Sequence, residues 1–390
     1  MRNSLGPLLR SATVGVLTLT ALWAPAGARA AGEQPAAEAQ RLAFTQRFHA
    51  TQHGGIVRAA NAAISCRTTL TPTSTTTTAS TSTSTSTSAS TPTVNAAPDC
   101  PSVRRGGPGV NNAFDMFYVD VDDDPNTYNS SRAEVRLPQG AQVSYARLYW
   151  GGNLRVGEQK PPKDNGRVLI AEPGGEYKAV LADTVVGHRV AEGADAFQAS
   201  ADVTKLVRES GAGLYTVAQI NVAMGRSGAG AWGGWTLVVA YENRAEPLRD
   251  LSVWDGFDTL GSRTAKEIRL RGLAVPKGAG GRVGLVAYDG DRGRTGDSLM
   301  FSTGGRTAAV LTDAVNPSDD VLNSTISEPG EAPAARVPAY VNTLGYDSDV
   351  FDMRAGLRHG GDQLAVRLVS QQDAAWAGAL FVAVDTRKKQ

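Results

Sequence analysis

One part of this chain copies another, and that constrains its fold more than any other feature. Residues 166–185, GRVLIAEPGGEYKAVLADTV, overlie residues 296–315, GDSLMFSTGGRTAAVLTDAV, without a gap at an offset of 130. Nine of the twenty positions are identical: Gly166, Leu169, Gly174, Gly175, Ala179, Val180, Leu181, Asp183 and Val185 all recur. Further segments match in the same order. DVTKLVRESGAG pairs with DMRAGLRHGGDQ, WGGWTLVVAYE with WAGALFVAVDT, and ARLYWGG with GLVAYDG, so that Trp232 matches Trp376. Two units at so long a period mark a duplication rather than a solenoid. The copies are read as residues 110–243 and 246–386.

The duplicated material is strand-like. DMFYVDV, VSYARLYWGG, LYTVAQINVAM, GGWTLVVAYE, RVGLVAYDG, QLAVRLVS and GALFVAV are short runs of β-branched and aromatic residues bounded by Gly, Asn or Asp. Glycine, at 43 of 390 residues, exceeds the usual share of about 7%, as many tight turns require. The clearest helix spans 203–210, with Asp202 placed to cap it and Gly211 to end it; Asp352 takes the place of Asp202 in the second copy. The expected fold is therefore all-β: two duplicated, jelly-roll-like β-sandwich copies, each with one short helix.

The first thirty residues read as a signal peptide. Arg2 and Arg10 precede or open an apolar run, TVGVLTLTALWAPAG, and Ala28-Arg29-Ala30 supplies a small-x-small cleavage pattern. No later segment reaches about 20 uninterrupted apolar residues, so no membrane-spanning segment is expected in the mature chain. Residues 31–109 then form an N-terminal segment holding the two cysteines, Cys66 and Cys100, which an oxidising compartment would pair. Between them, residues 71–93 are all Ser or Thr except Pro72, Ala79, Ala89 and Pro92. So polar a tract cannot offset its ordering entropy and is expected to be a loop, open to O-glycosylation. A net charge of +1, from 39 basic and 38 acidic residues, argues against nucleic acid or an anionic membrane as partner.

Several of these segments carry a resemblance. AANAAISC, NNAFDMFYVDVDDDPNTYNSSRAEVRLP, YARLYWGG, ADVTKLVRESGAGLYTVAQINV, GGWTLVVAYEN and GDSLMFSTGG resemble the N-terminal module of actinobacterial secreted or cell-surface proteins, a module of uncharacterised function. In longer members tandem Ig-like repeats often follow it; this chain ends at DTRKKQ without them. The resemblance covers most of the chain after residue 40 and implies surface location and β architecture, with no chemistry to carry over.

Candidate sites are few. GDSL at 296–299 matches an esterase nucleophile signature, yet Ser298 opens a predicted strand, and none of His49, His53, His188 and His359 has an Asp three residues before it. In the other copy Gly166-Arg167-Val168-Leu169 keeps only the Gly and Leu. No nucleophile, base and orienting group converge, so the chain is expected not to be an enzyme, with a GDSL-type ester hydrolase as the lowest-ranked alternative. Asp289, Asp291 and Asp297 in one loop, with Asp347 and Asp349 in YDSDVFD, supply hard oxygen ligands such as structural calcium needs. The competing reading is solvated turns, where Asp bonds its own backbone. Asp120, Asp122, Asp123 and Asp124 read as a turn of that kind, and His49 and His53 as strand residues too far apart to share zinc. Of the tryptophans, Trp232 and Trp376 read as core. Trp150 and Trp254 stand at strand ends beside Gly or Asp and are the candidates for stacking on a sugar.

The expected function is that of a non-catalytic protein, secreted or cell-wall associated, acting by binding, by adhesion or as an envelope component. Its expected partner is a cell-envelope component or a surface glycan or protein. The alternative is a carbohydrate-binding module with calcium-supported loops.

Overall fold

A computed structural model describes residues 34–39, 42–67, 99–260, 264–303, 308–330, 334–371 and 375–387. The leader at 1–30 and the Ser/Thr tract at 71–93 lie outside the described residues. The elements below belong to the unit Pro35–Gln390, and strands are numbered along the chain.

The protein is an all-β sandwich, and its topology repeats. In one set, β2 (Leu42–Ala62), β12 (Gly233–Glu242), β6 (Gln142–Asn153), β10 (Ala194–Asp202) and β9 (Thr184–Ala191) lie side by side, with β1 (Glu38–Ala39) on the outer edge of β9. In the other, β13 (Leu248–Leu260), β21 (Ala375–Asp385), β15 (Gly281–Tyr288) and β19 (Tyr346–Asp352) follow the same order. Because β2 also pairs with β13, the sets fuse into one ten-stranded sheet. Smaller sheets repeat as well. β5 (Ser130–Val135), β11 (Gly213–Ala218), β7 (Arg167–Ala171) and β8 (Lys178–Leu181) match β14 (Thr264–Val275), β20 (Gly361–Ser370), β16 (Ser298–Ser302) and β17 (Ala309–Leu311) strand for strand. The first small sheet gains β18 (Arg336–Val337), which comes from the second copy and pairs with β5.

The strand completing the first set, β2, is drawn from residues 42–62, ahead of the boundary at 110 read from the sequence. Its residues 54–62 pair with β12 and its residues 42–53 with β13. At the changeover Gly54 adopts φ 138°, and a Cβ there would stand 2.0 Å from the Tyr241 carbonyl oxygen. The 243–247 connection is fastened at the same point, Asn243 N donating to His53 O at 2.8 Å and Gly54 N to Pro247 O at 3.4 Å.

Both faces of the long sheet are buried. Alternate residues of β6 point to opposite sides: Leu148 and Trp150 join a core with Val168 and Tyr215 beneath the first small sheet, while Tyr145 and Tyr149 join an aromatic layer with Trp232, Phe257, Tyr288, Tyr346 and Trp376. That layer takes side chains from both sets. A second core, with Leu285, Phe301 and Leu364, lies beneath the other small sheet. Across the layer Gln198 Nε2 donates to Gly256 O at 3.0 Å, and Tyr149 Oη to Asp255 Oδ2 at 3.2 Å. The glycine two places after each matched tryptophan admits a ring: a Cβ at Gly234 would meet Tyr346 at 2.8 Å, and one at Gly378 would meet Tyr288 at 2.9 Å.

A helix forms in the first copy only. α2 (Thr204–Ser210) ends at Gly211, φ 73°, and Thr204 N donates to Asp202 Oδ1 at 2.8 Å. In the second copy Asp352 makes the equivalent bond to Arg354 N at 2.7 Å, but Gly356, Gly360 and Gly361 interrupt the segment and it forms turns, so the helix expected there is absent. The remaining elements are α1 (Cys100–Arg104), single 3₁₀ turns at Asn111–Ala113 and Pro162–Asp164, and the pair β3 (Ile64–Cys66) with β4 (Met116–Tyr118). The Cys66–Cys100 disulfide joins β3 to α1. Among the described residues no helix is long and apolar enough to cross a membrane.

Replacing Gly54 by Ala forces a Cβ onto the Tyr241 carbonyl in a conformation costing on the order of 1–3 kcal/mol. Denaturant unfolding of this variant is expected to show a lower midpoint and still one transition, because β2 serves both sets at once. Two separated transitions would show that the copies unfold independently.

Candidate functional site

Two polar places stand out against this apolar framework, and a single hydrogen-bonded chain connects them. The first is built from the aspartates singled out in the sequence. Asp289 and Asp291 follow β15, Asp297 precedes β16, and Asp347 and Asp349 share one face of β19, which pairs with β15. All five are buried, at 9% exposure or less, so the reading as solvated turns does not hold. Part of the cover comes from residues 320–327, between β17 and β18, which bond Asp347 and Asp349; in the first copy β8 and β9 are separated by two residues, so the segment has no long counterpart there.

Each carboxylate has a defined place. Asp289, in the left-handed region at φ 65°, accepts from Asn111 Nδ2 at 2.8 Å. Asp291 pairs with Arg294 Nε at 3.2 Å, and the Asp297 main chain forms a parallel β-bridge with that of Asp320. Asp347 Oδ1 accepts from Thr325 N at 3.1 Å. Asp349 accepts from Ser327 N at 2.8 Å, Ser327 Oγ at 2.7 Å and Thr325 Oγ1 at 3.1 Å. Burial pushes the Asp349 carboxyl up to about 7, with the Ser327 hydrogen bonds and the charge of Arg58 opposing the rise. Burial and the charge of Asp349 push Asp347 well above the ordinary carboxylate range.

A hard cation takes six to eight oxygens. Among the described residues no three Asp, Glu, His or Cys side chains close on one point as an ion requires. Two features nevertheless suit a cation. Asp347 Oδ2 is buried without a hydrogen-bond partner, and Gly290 leaves space beside it: a Cβ there would stand 2.5 Å from that oxygen and 2.4 Å from Leu322 O.

From Asp349 the chain of bonds runs through Ser327, whose carbonyl accepts from Arg58 Nη2 at 2.6 Å, to the second place. This is a cleft of about 720 Å³ between the two sets, reached by β2, β5, β13, β15 and β21. Five arginines line it: Arg58, Arg136, Arg249, Arg282 and Arg354. Four hold carboxylates that also line it, Arg136 with Glu134 at 2.8 Å, Arg249 with Glu246 at 2.7 Å, Arg282 with Glu328 at 2.7 Å and Arg354 with Asp352 at 2.7 Å. Arg58 is 5% exposed, and burial pulls its guanidinium below the usual value against the opposing charges of Glu328 and Asp349. Sequence reading passed over this cleft, because its residues are scattered from 55 to 385 and meet only through the pairing of β2 with both sets.

The aromatic candidates fare differently. Trp150 is fully buried and its indole N–H donates to Asn165 O at 2.8 Å, so it is a core residue and offers no face to a sugar. Both faces of β6 are covered, which a strand-end position cannot reveal. Trp254 is half-buried against the second core. Ser298 opens an antiparallel strand opposite Val369, not a strand-to-helix turn. His49 and His53 both lie on β2, bonded to Asp250 and to Glu246 O respectively. The turn at 120–124 is self-bonded as expected, with Asp124 N donating to Asp122 Oδ1 and Asn126 N to Asp124 Oδ1, each at 2.9 Å.

No family model matches the chain, and no curated protein matches it. Among solved structures it is similar to PNGase F, a glycosylasparaginase from Flavobacterium meningosepticum, at 12% identity over 68% of this chain and 94% of that one, with a TM-score of 0.21. It is also similar to a chain of Sulfolobus Turreted Icosahedral Virus, at 10% identity over 65% and 86%, TM-score 0.20. The STIV MCP is alike at 9% identity over 65% and 92%, TM-score 0.19. Scores this low carry nothing about fold or activity to the present chain.

The raised carboxyls set a pH dependence. A folded value near 7 against an ordinary value of 3.8 means that the folded protein binds more protons between those limits. Stability from Asp349 is thus complete below about pH 4 and is lost as pH rises through 7. With chelator present, melting is expected at lower temperature at pH 8 than at pH 5, and Asp349→Asn is expected to flatten that slope. A slope unchanged in the variant would remove Asp349 as its source.

Proposed function

We propose that the chain is an exported, extracellular or cell-surface protein that acts by binding rather than turnover, and that the cleft between the two strand sets is its ligand site. The ligand class that suits it best is a glycan of the cell envelope. The observation that carries this reading is the cleft itself: a concave seam lined by arginines and carboxylates held mostly in pairs, with Tyr241 beside them. Paired guanidinium and carboxylate groups present donors and acceptors in fixed directions, which hydroxyl-rich sugars require and apolar ligands do not. The apolar leader and the Cys66–Cys100 disulfide support location in an oxidising compartment outside the cytoplasm.

Incubation with insoluble cell-wall glycans and recovery in the pellet tests the reading. Retention is expected for the native chain, with at least roughly tenfold weaker binding when Arg282 and Arg354 are both changed to Ala, a loss of about 1.4 kcal/mol. Trp254→Ala, outside the cleft, is expected to bind like the parent. Loss of retention in Trp254→Ala alone would move the site to the aromatic strand end, and failure on every glycan tried would remove glycans as the ligand.

A second reading, calcium support of the acidic loops, is favoured by the unpartnered Asp347 Oδ2 beside Leu322 O. It predicts a melting temperature raised by excess calcium over chelator, since saturation at about 100 times the dissociation constant adds roughly 2.7 kcal/mol, and no such rise in Asp347→Asn. Identical melting in calcium and in chelator would leave these carboxyls as hydrogen-bonded, protonated structure.

A further inference from the structure

Arg58 is not the only arginine at the seam with a buried donor to spare. Arg336, on the strand that the second copy lends to the first small sheet, lies close enough to Arg58 to feel its charge. Burial and that like charge lower its value to about 10. Arg336 Nη2 donates to Tyr340 O at 3.1 Å, while its Nη1 is buried with no acceptor. Arg58 Nη2 is spent on Ser327 O, and its Nε is likewise buried with no acceptor.

The neighbouring carboxylates relieve this pair only in part. Glu328 is held by Arg282 at 2.7 Å, and Asp349 is held by Ser327 and Thr325 and driven towards its neutral form. Two like charges that feel each other, one buried and the other half-buried, are costly unless an opposite charge joins them, and each unmet buried donor adds its own desolvation cost. Guanidinium groups meet oxyanions through paired N–H bonds, so the charge and the donors call for the same kind of group. Of the two, Arg58, at 5% exposure, lines the cleft.

We propose that Arg58 and Arg336 together bind one oxyanion, a carboxylate or sulfate group, at the inner end of the cleft between the two copies. Resting on the reading of the cleft as a glycan site, this makes the ligand an acidic glycan carrying uronic acid or sulfate groups. The same corner would take the free anion, so the two sources are separated by experiment.

Isothermal titration of the full chain with inorganic sulfate, and separately with glucuronate, at constant ionic strength is the test. Saturable binding of at least one anion is expected in the parent. It is expected to weaken at least roughly tenfold in Arg336→Gln and to persist in Arg269→Gln, an exposed arginine of β14 outside the cleft that is paired with Glu267. If Arg336→Gln fails to fold, Arg58→Lys serves as the second variant, retaining the charge while removing the planar fork. No saturable heat with either anion in the folded parent overturns the proposal, as does unchanged affinity in a folded Arg336→Gln or Arg58→Lys protein. Sulfate or glucuronate binding without retention on any glycan keeps the anion site and removes the glycan reading. Retention on neutral glycans with no anion binding does the reverse.

Discussion

The architecture rests on the backbone hydrogen bonding of one strand. Buried N–H and C=O groups must be paired, and a strand in a sheet meets that demand through its neighbours. β2 finds its neighbours in both copies, the last long strand of the first and the first strand of the second. The two strand sets are thereby fused into one long sheet whose halves face each other across an aromatic layer. The cleft and the two guanidiniums lie where those halves meet, and Ser327 links Arg58 to the buried Asp349.

Much of this was legible in the sequence. The repeat over 166–185 and 296–315 corresponds to β7 with β8 in one copy and β16 with β17 in the other, and the matched tryptophans open equivalent strands. The bond from Thr204 N to Asp202 just ahead of the helix, whose N-cap is Val203, and the stop at Gly211 were readable because both act through local geometry. What escaped depends on contacts between distant residues. Nothing local identifies residues 42–62 as the partner of β13, since HATQHGGIVRAANA and the β13 sequence share little beyond strand character. Trp150 at the end of its strand has the look of an exposed position until the second layer is known to cover it. The five aspartates singled out in the sequence are all buried, and for Asp347 and Asp349 that burial involves Thr325 and Ser327, from a segment whose Asn, Ser and Pro content reads as plain loop.

That segment makes the copies unequal. In the first copy a tight turn leads from β8 to β9; in the second the chain instead travels over the acidic loops, supplies Thr325 and Ser327 to Asp347 and Asp349, and then lends β18 to the other copy's small sheet. Duplication furnished a symmetric apolar frame, and the departure from symmetry is polar. A buried polar network is tolerated only where its members are satisfied, and here the exceptions are informative: Asp347 Oδ2, Arg58 Nε and Arg336 Nη1 are the atoms to which the two functional readings attach.

The double allegiance of β2 also orders events as the chain is made. Residues 54–62 acquire their partner once β12 has emerged, completing the first set, but residues 42–53 wait for 248–257. Through that interval they are a bare strand edge of the sort that recruits foreign strands. N-to-C synthesis therefore carries a window in which this segment is an aggregation hazard. Arg47, His49, Gln52 and His53, interleaved through it, are the polar residues that guard such an edge until its intended partner arrives.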